Sequence, residues 1–266
     1  MGIELAQRDD SLADDEPFLP DIHARAALAQ RLLPQLLAGT ETQDVTLRTL
    51  ARAGTEYPSG QLGELLLDKE IALLGQFAAE LRAATAEPCV PAQQACLEFD
   101  LDGETWRLSG GFGDLRSGGL VRQRYDDVRA ADYLAGWISH VFLCALAPAG
   151  VVAETRWYSR NGHYRLQPCA APHELLRDWL RLYRRGLCEP VHFFPKSAWQ
   201  YVVNGAHLGK AIATWRSTSF RPYGEADHPA YRLALRGCAD PLDADFVACA
   251  STVFGLLRPC LEDERL

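Results

Sequence analysis

A chain of 266 residues with 48% hydrophobic and 23% charged residues has the balance of an ordinary globular protein and the length to bury a substantial core. Its formal net charge of −8 excludes a uniformly basic nucleic-acid coat but leaves room for a local basic patch. Eight cysteines without one CxxC pair argue against zinc and against a dense disulfide framework, and the amino end carries no secretory h-region, so reduced thiols in a cytoplasm are expected.

Residues 1–20 read as a linker or disordered segment with concentrated acid and no apolar period. Residues 21–86 read as a helical subdomain. Asp21 is a natural N-cap for a helix carrying Ala27, Leu28, Leu32, Leu33, Leu36 and Leu37, which Gly39 ends. A second helix is expected over Thr42–Ala53. After the Tyr57-Pro58-Ser59-Gly60 break comes a long amphipathic helix, Leu62–Ala84, with Leu65, Leu66, Leu73, Leu74, Phe77 and Leu81 as its buried stripe.

The period then changes to that of strands, and residues 87–266 read as one mixed α/β domain. Strands Cys96–Leu101 and Glu104–Gly110 flank Asp102-Gly103, a strong hairpin signal because a type I′ turn needs positive φ. Leu120–Tyr125 is a third strand and Arg129–Ala147 a charge-poor, buried helix. Tyr133–Ala153 approaches the ~20 residues of a membrane span, but Pro148 and Gly150 split it into a helix and a following strand, so no membrane is expected. A second hairpin, Val151–Tyr158 and His163–Gln167, turns at Asn161-Gly162. Helices follow at His173–Gly186, Lys196–Val203, His207–Trp215 and Asp243–Leu257.

The order strand, strand, strand, helix is the core of a PD-(D/E)xK nuclease, a small central sheet flanked by helices. Such an enzyme needs a carboxylate ending one strand, a second on the next strand, and a lysine two residues on. The carboxylates hold Mg²⁺, and ion and lysine together organise the attacking water. Residues two apart share a strand face, which explains the spacing. Here Leu108-Ser109-Gly110-Gly111-Phe112-Gly113-Asp114 places Gly113 at the first ligand position, and a one-residue slip turns Asp114 to the opposite face unless a bulge intervenes. Leu120-Val121-Arg122-Gln123-Arg124 places Arg122 at the second and Arg124 at the lysine. No metal, cofactor or catalytic residue is expected at these degenerate positions, Gly113, Arg122 and Arg124.

Together with Arg107 and Arg116, Arg122 and Arg124 are candidates for one arginine-rich sheet face that holds DNA phosphates. Salt bridging to Asp114, Asp126 and Asp127 is the plainer expectation for the same side chains. An alternative is an active Mg²⁺-dependent nuclease with a migrated site at Asp114, Glu98 or Asp100. A third reading is a subunit-docking domain that never touches DNA.

Several segments also carry a resemblance: DDEPFLPDIHARAALAQRLL (Asp14 to Leu33), GQLGELLL (Gly60 to Leu67), LSGGFGDL with LVRQRY, and YLAGWISHVFLCA (Tyr133 to Ala145). It continues through YRRGLCEPVHFFPKSAWQY (Tyr183 to Tyr201), HPAYRLALRG (His228 to Gly237) and DPLDADFVACASTVFGLL (Asp240 to Leu257). In order, these resemble the C-terminal region of the exodeoxyribonuclease V gamma subunits, the RecC family. The resemblance implies an inactive nuclease-like domain in a RecBCD-type helicase–nuclease. Its expected partners are a RecB-like helicase/nuclease subunit, a RecD-like helicase subunit and, through the complex, DNA. It also implies that the large helicase-like domains of a complete gamma subunit are missing from this piece.

Other features point to packing. Tyr183, Phe193, Phe194, Trp199, Tyr201, Trp215 and Tyr223 suit core or interface packing better than base stacking. The seven histidines lack metal spacing, and His140 fits a hydrogen-bonded core position. No GxxxxGK[ST] phosphate loop is present, which excludes ATP hydrolysis by this piece.

Overall fold

A computed structural model describes residues 19–219 and 223–266, apart from the side chain of Gln93. The linker expected over residues 1–20 lies almost wholly outside the described residues. The chain divides between Ala79 and Glu80 into two compact units.

The first unit is helical. Asp21 caps α1 (Ile22–Leu37) by accepting the Ala24 N–H at 2.8 Å, and Asp44 caps α2 (Val45–Arg52) through Thr46 and Leu47. A fork-to-fork pair, Arg31 to Glu56 at 3.0 and 2.7 Å, ties α1 to the segment after α2. The third helix, α3 (Gly60–Ala84), buries Leu67, Ile71, Leu74, Phe77 and Ala78. Leu65, expected in that stripe, points outward at 67% exposure. The true period runs 67, 71, 74, 78 and leaves Leu65 on the solvent side.

The second unit is mixed α/β, with two small sheets flanked by helices. β1 (Gln93–Leu101) and β2 (Glu104–Phe112) form an antiparallel ribbon turned at Asp102 (φ 55°) and Gly103 (φ 84°). A separate five-stranded sheet has the order β3 (Leu115–Arg116), β4 (Gly119–Arg124), β5 (Thr155–Ser159), β6 (Gly162–Leu166), β7 (Leu261–Glu262). The three strands expected to lead into the helix are therefore split between two sheets. The break falls at Gly113-Asp114, where β2 stops and the chain bends into β3.

β4 and β5 are parallel, joined by the crossover helix α4 (Ala130–Leu146); β5 and β6 form the hairpin at Asn161-Gly162. The strand expected from Val151 starts only at Thr155, because Pro148 and Gly150 turn the chain first. One sheet face, with Leu115, Leu120, Thr155, Trp157, Tyr164 and Leu166, is buried, as are Trp137, His140 and Val141 of α4. Trp137 is fully buried and donates its indole N–H to the Val253 carbonyl at 3.0 Å.

Helices α5 (Pro172–Gly186), α6 (Pro195–Val203), α7 (Leu208–Trp215), α9 (Ala244–Phe254) and α10 (Leu257–Cys260) complete this core, with the short α8 (Pro229–Ala234) after a 3₁₀ turn at Glu225–Asp227. The single helix expected over Asp243–Leu257 thus stops at Phe254. β3, α8 and β7 are too short to leave a period in the sequence. Among the described residues no helix is long and apolar enough to cross a membrane.

Candidate functional site

The degenerate nuclease positions lie where β2 bends into β3 and along β4. Leu115 pairs with Leu120, so Leu115, Leu120, Arg122 and Arg124 share one sheet face. Gly113 is exposed, and a Cβ added there would meet nothing within 4 Å. Asp114 does not point away from this face, as an unbroken strand would require. The bend at Gly113-Asp114 resets the alternation, and the Asp114 carboxylate accepts a hydrogen bond from Arg122 Nη1.

Arg124 is more fully engaged. Its Nε donates to Asp132 Oδ1 at 2.7 Å, its Nη1 to Asp126 Oδ2 at 2.8 Å, and its Nη2 to the second Asp132 oxygen and to the Asp127 carbonyl at 3.0 Å. Asp132 is buried in the first turn of α4, where it also accepts the Arg129 backbone N–H at 2.8 Å. Arg129 adds a second cation to Asp126. Burial opposes the charge on Asp126, but Arg124 and Arg129 overcome it and hold the carboxyl below its ordinary range. The guanidinium of Arg124 thus fastens the end of β4 to the start of α4. Two cations on one strand face, each paired with a carboxylate, make a donor set that does not fit a divalent metal.

The other arginine candidates lie elsewhere. Arg116 is on the opposite face of the five-stranded sheet and donates Nη1 to Cys89 Sγ at 2.8 Å. Arg107 belongs to the ribbon, is paired with Glu98 at 2.9 Å, and its side chain is 70% exposed. The single arginine face expected from the sequence is not formed, because the four residues occupy two sheets and, within one sheet, both faces.

A family model, the RecC C-terminal domain, matches residues 1–206. The chain belongs to the RecC C-terminal domain family. The RecBCD enzyme subunit RecC of Escherichia coli (strain K12) is 27% identical over 204 residues, which are 75% of this chain and 17% of that protein. The chain therefore spans about a sixth of the relative's length. The segments HPAYRLALRG and DPLDADFVACASTVFGLL lie beyond the residues that the RecC C-terminal domain model matches.

Two polar centres of this RecC-family chain had little or no signal in the sequence. Asp263 follows β7 with a side chain only 1% exposed; it accepts from Arg265 at 2.7 and 2.8 Å and from the Tyr133 hydroxyl at 2.5 Å. Burial works against its ionisation, yet Arg265 and Tyr133 hold it below the usual carboxylate range. Glu225, also buried, accepts the Lys196 and Ser197 N–H groups at 3.0 and 2.7 Å and so caps α6 from outside it. The Tyr133 bond to Asp263 and both bonds to Glu225 span long sequence separations, and no local spacing announces them.

The remaining sequence candidates are in packing positions. Phe194, Trp199, Tyr201 and Trp215 are buried, and Phe193 is partly so. His140 is fully buried between Thr155 Oγ1 at 3.0 Å and the Gln167 carbonyl at 2.9 Å, and burial lowers its pKa to about 4. Tyr183 and Tyr223 stand exposed.

Proposed function

We propose that this chain is the C-terminal domain of the non-motor gamma subunit of a RecBCD-type helicase–nuclease. In this reading it is a catalytically inactive, PD-(D/E)xK-like module that scaffolds the complex with RecB-like and RecD-like subunits and contacts or guides DNA during recombinational repair. The nuclease-like domain runs over residues 87–266 and the helical subdomain over 21–86. The carrying observation is the pairing at the ligand positions. Family membership sets the context, and the residues that replace ligands, Arg122 and Arg124, are bound to Asp114, Asp126 and Asp132. A guanidinium there supplies positive charge where a metal's ligands must supply negative charge, so no hydrolytic step is assigned to Gly113, Arg122 or Arg124.

Arg107, Arg116, Arg122 and Arg124 remain the strand residues proposed to meet DNA in the assembly. Their pairing means that phosphates have to compete with protein carboxylates for Arg107, Arg122 and Arg124. The purified chain, incubated with linear DNA and Mg²⁺, is expected to leave the DNA intact. Cleavage that disappears in Asp114→Asn would overturn the inactive reading and establish a migrated site at the bend, which the accessible carboxylate of Asp114 makes the specific alternative.

A further inference from the structure

Between Val191 and Ala239 six lysines and arginines (Lys196, Lys210, Arg216, Arg221, Arg232 and Arg236) are set against two acids, Glu225 and Asp227. That local excess of four positive charges sits in a chain whose formal net charge is −8. Both acids are spent locally. Glu225 is buried on the Lys196 and Ser197 N–H groups, and Asp227 accepts the Gly224 N–H at 2.8 Å. Among the described residues, no carboxylate pairs with Lys196, Lys210, Arg216, Arg232 or Arg236, all of them exposed.

Lys196, Lys210, Arg216, Arg232 and Arg236 belong to one lobe. Fully buried Phe194, at the start of α6, packs on Trp215 of α7 (ring centroids 4.2 Å) and on Tyr231 of α8 (5.2 Å). Gly224, the residue after Tyr223, lies so close to the Trp215 and Arg216 backbone that a Cβ would come within 2.3 Å of the Trp215 carbonyl, which brings this stretch of chain to the end of α7. Tyr223 is 82% exposed. Pro229, Arg232, Leu233 and Arg236 line one concavity of about 310 Å³.

We propose that this lobe, α6 through α8, is a separate contact surface for single-stranded DNA, holding the phosphate backbone with its unpaired cations and stacking a base on Tyr223. It rests on the reading that this chain meets DNA, but it moves the contact away from the strand arginines and largely beyond the residues the family model matches. Unpaired cations release counterions when they bind phosphate without first giving up a protein carboxylate, and an exposed aromatic face accepts any base. A duplex hides its base faces and has no use for Tyr223, which decides for the single strand.

The test is fluorescence anisotropy of the full chain with a labelled oligodeoxythymidylate across a salt series. Engagement of about four cations predicts a log–log salt slope of about −3. Arg232→Glu/Arg236→Glu is expected to weaken binding about tenfold or more and to flatten the slope by about 1.4. Arg82→Glu/Arg258→Glu makes the same charge change at exposed sites outside the lobe and is expected to leave the slope unchanged. Tyr223→Ala is expected to lose about fivefold, the low end for one stacked base, at constant slope. The lobe side chains hold no carboxylate, so circular dichroism should find every variant folded. Failure of the wild-type chain to bind, or equal losses in both double variants, overturns the proposal. So does tighter binding of a duplex of the same length. Competition by polyglutamate as strong as that by the oligonucleotide assigns the surface to an acidic protein instead. None of these outcomes bears on whether the chain cleaves DNA, which the Mg²⁺ assay decides separately.

Discussion

Arg124 and Arg232 carry the same guanidinium in opposite circumstances. Arg124 is enclosed by Asp126, Asp132 and the Asp127 carbonyl at the seam between β4 and α4, whereas Arg232 stands exposed with no carboxylate partner among the described residues. The first is a structural cation. Its charge is cancelled locally, and four hydrogen bonds from its guanidinium hold two elements together. The second adds to the field of its lobe and is free to meet an anion. Sequence spacing marked Arg122 and Arg124 as the functional pair because they replace metal ligands. Both carry the salt bridges that were the plainer expectation for them, and an arginine already paired gains less from meeting a phosphate than an unpaired one does.

The sheet region should show its buried polar groups most strongly in its response to pH. His140 is fully buried and neutral, with a pKa lowered to about 4 from an ordinary value of 6.5. A lowered histidine pKa means that the unfolded chain binds the proton first. The stability is complete above pH 6.5 and is lost as pH falls towards 4, by about 3 kcal/mol for a shift of this size. Urea unfolding at pH 7 and pH 4.5 is expected to differ by about 2–3 kcal/mol in the wild type, and His140→Gln should remove most of that difference. Asp126 and Asp263 do not confuse the measurement. Their pKa values are lowered below 3.8, so their contribution persists above that value and is lost only as pH falls further. A wild-type stability that is flat between pH 7 and pH 4.5 would refute the buried neutral histidine.

Arg124→Ala probes the seam directly. It leaves Asp126 with the Arg129 guanidinium among its partners, and the buried Asp132 with the Arg129 backbone N–H but without the guanidinium that paired with it. Removing one partner of a buried pair costs about 3–5 kcal/mol, and the partial exposure of Arg124 brings the expectation down to about 2–3 kcal/mol. Arg124→Lys keeps the charge but loses the two-pronged contact with Asp132 and should fall between the two. The same alanine change at Arg232 or Arg236 should stay within about 0.5 kcal/mol of wild type, since neither side chain holds a carboxylate. Equal destabilisation at Arg124 and Arg232 by chemical denaturation would erase the distinction between the two regions.

Where the sequence was legible, a period or a turn chemistry repeated over enough residues to be read. Asp102-Gly103 and Asn161-Gly162 placed both hairpins, the apolar period placed α1, a charge-poor apolar run placed α4, and Asp21 announced its own cap. The bend at Gly113-Asp114 was not legible, because glycine permits a break without requiring one. That single bend splits the strands into two sheets and returns Asp114 to the Arg122 face. The candidate site was half legible for the same reason. Arg122 and Arg124 share a face because they are two apart on a strand, which spacing does fix. Arg116 reaches Cys89 across 27 residues, Glu225 reaches Lys196 across 29, and Asp263 reaches Tyr133 across 130. No window of local sequence contains those contacts.

Arg107 carries the smallest expected effect and tests whether pairing alone, without burial, makes an arginine structural. Its partner Glu98 sits directly opposite on the ribbon, both side chains are more than half exposed, and water screens the pair. Exposed cross-strand pairs of this kind contribute about 0.2–1 kcal/mol, and the loss of ordering entropy on forming the pair pushes the value towards the low end. Arg107→Ala is therefore expected to cost less than about 0.5 kcal/mol by urea unfolding, an effect that should vanish in 1 M salt. A cost near that of Arg124→Ala would mean that the ribbon depends on its surface pairs as the sheet does on its buried ones. A negligible cost places Arg107 nearer to Arg232 than to Arg124, because pairing in water constrains a guanidinium only weakly, while pairing at a buried carboxylate fixes it.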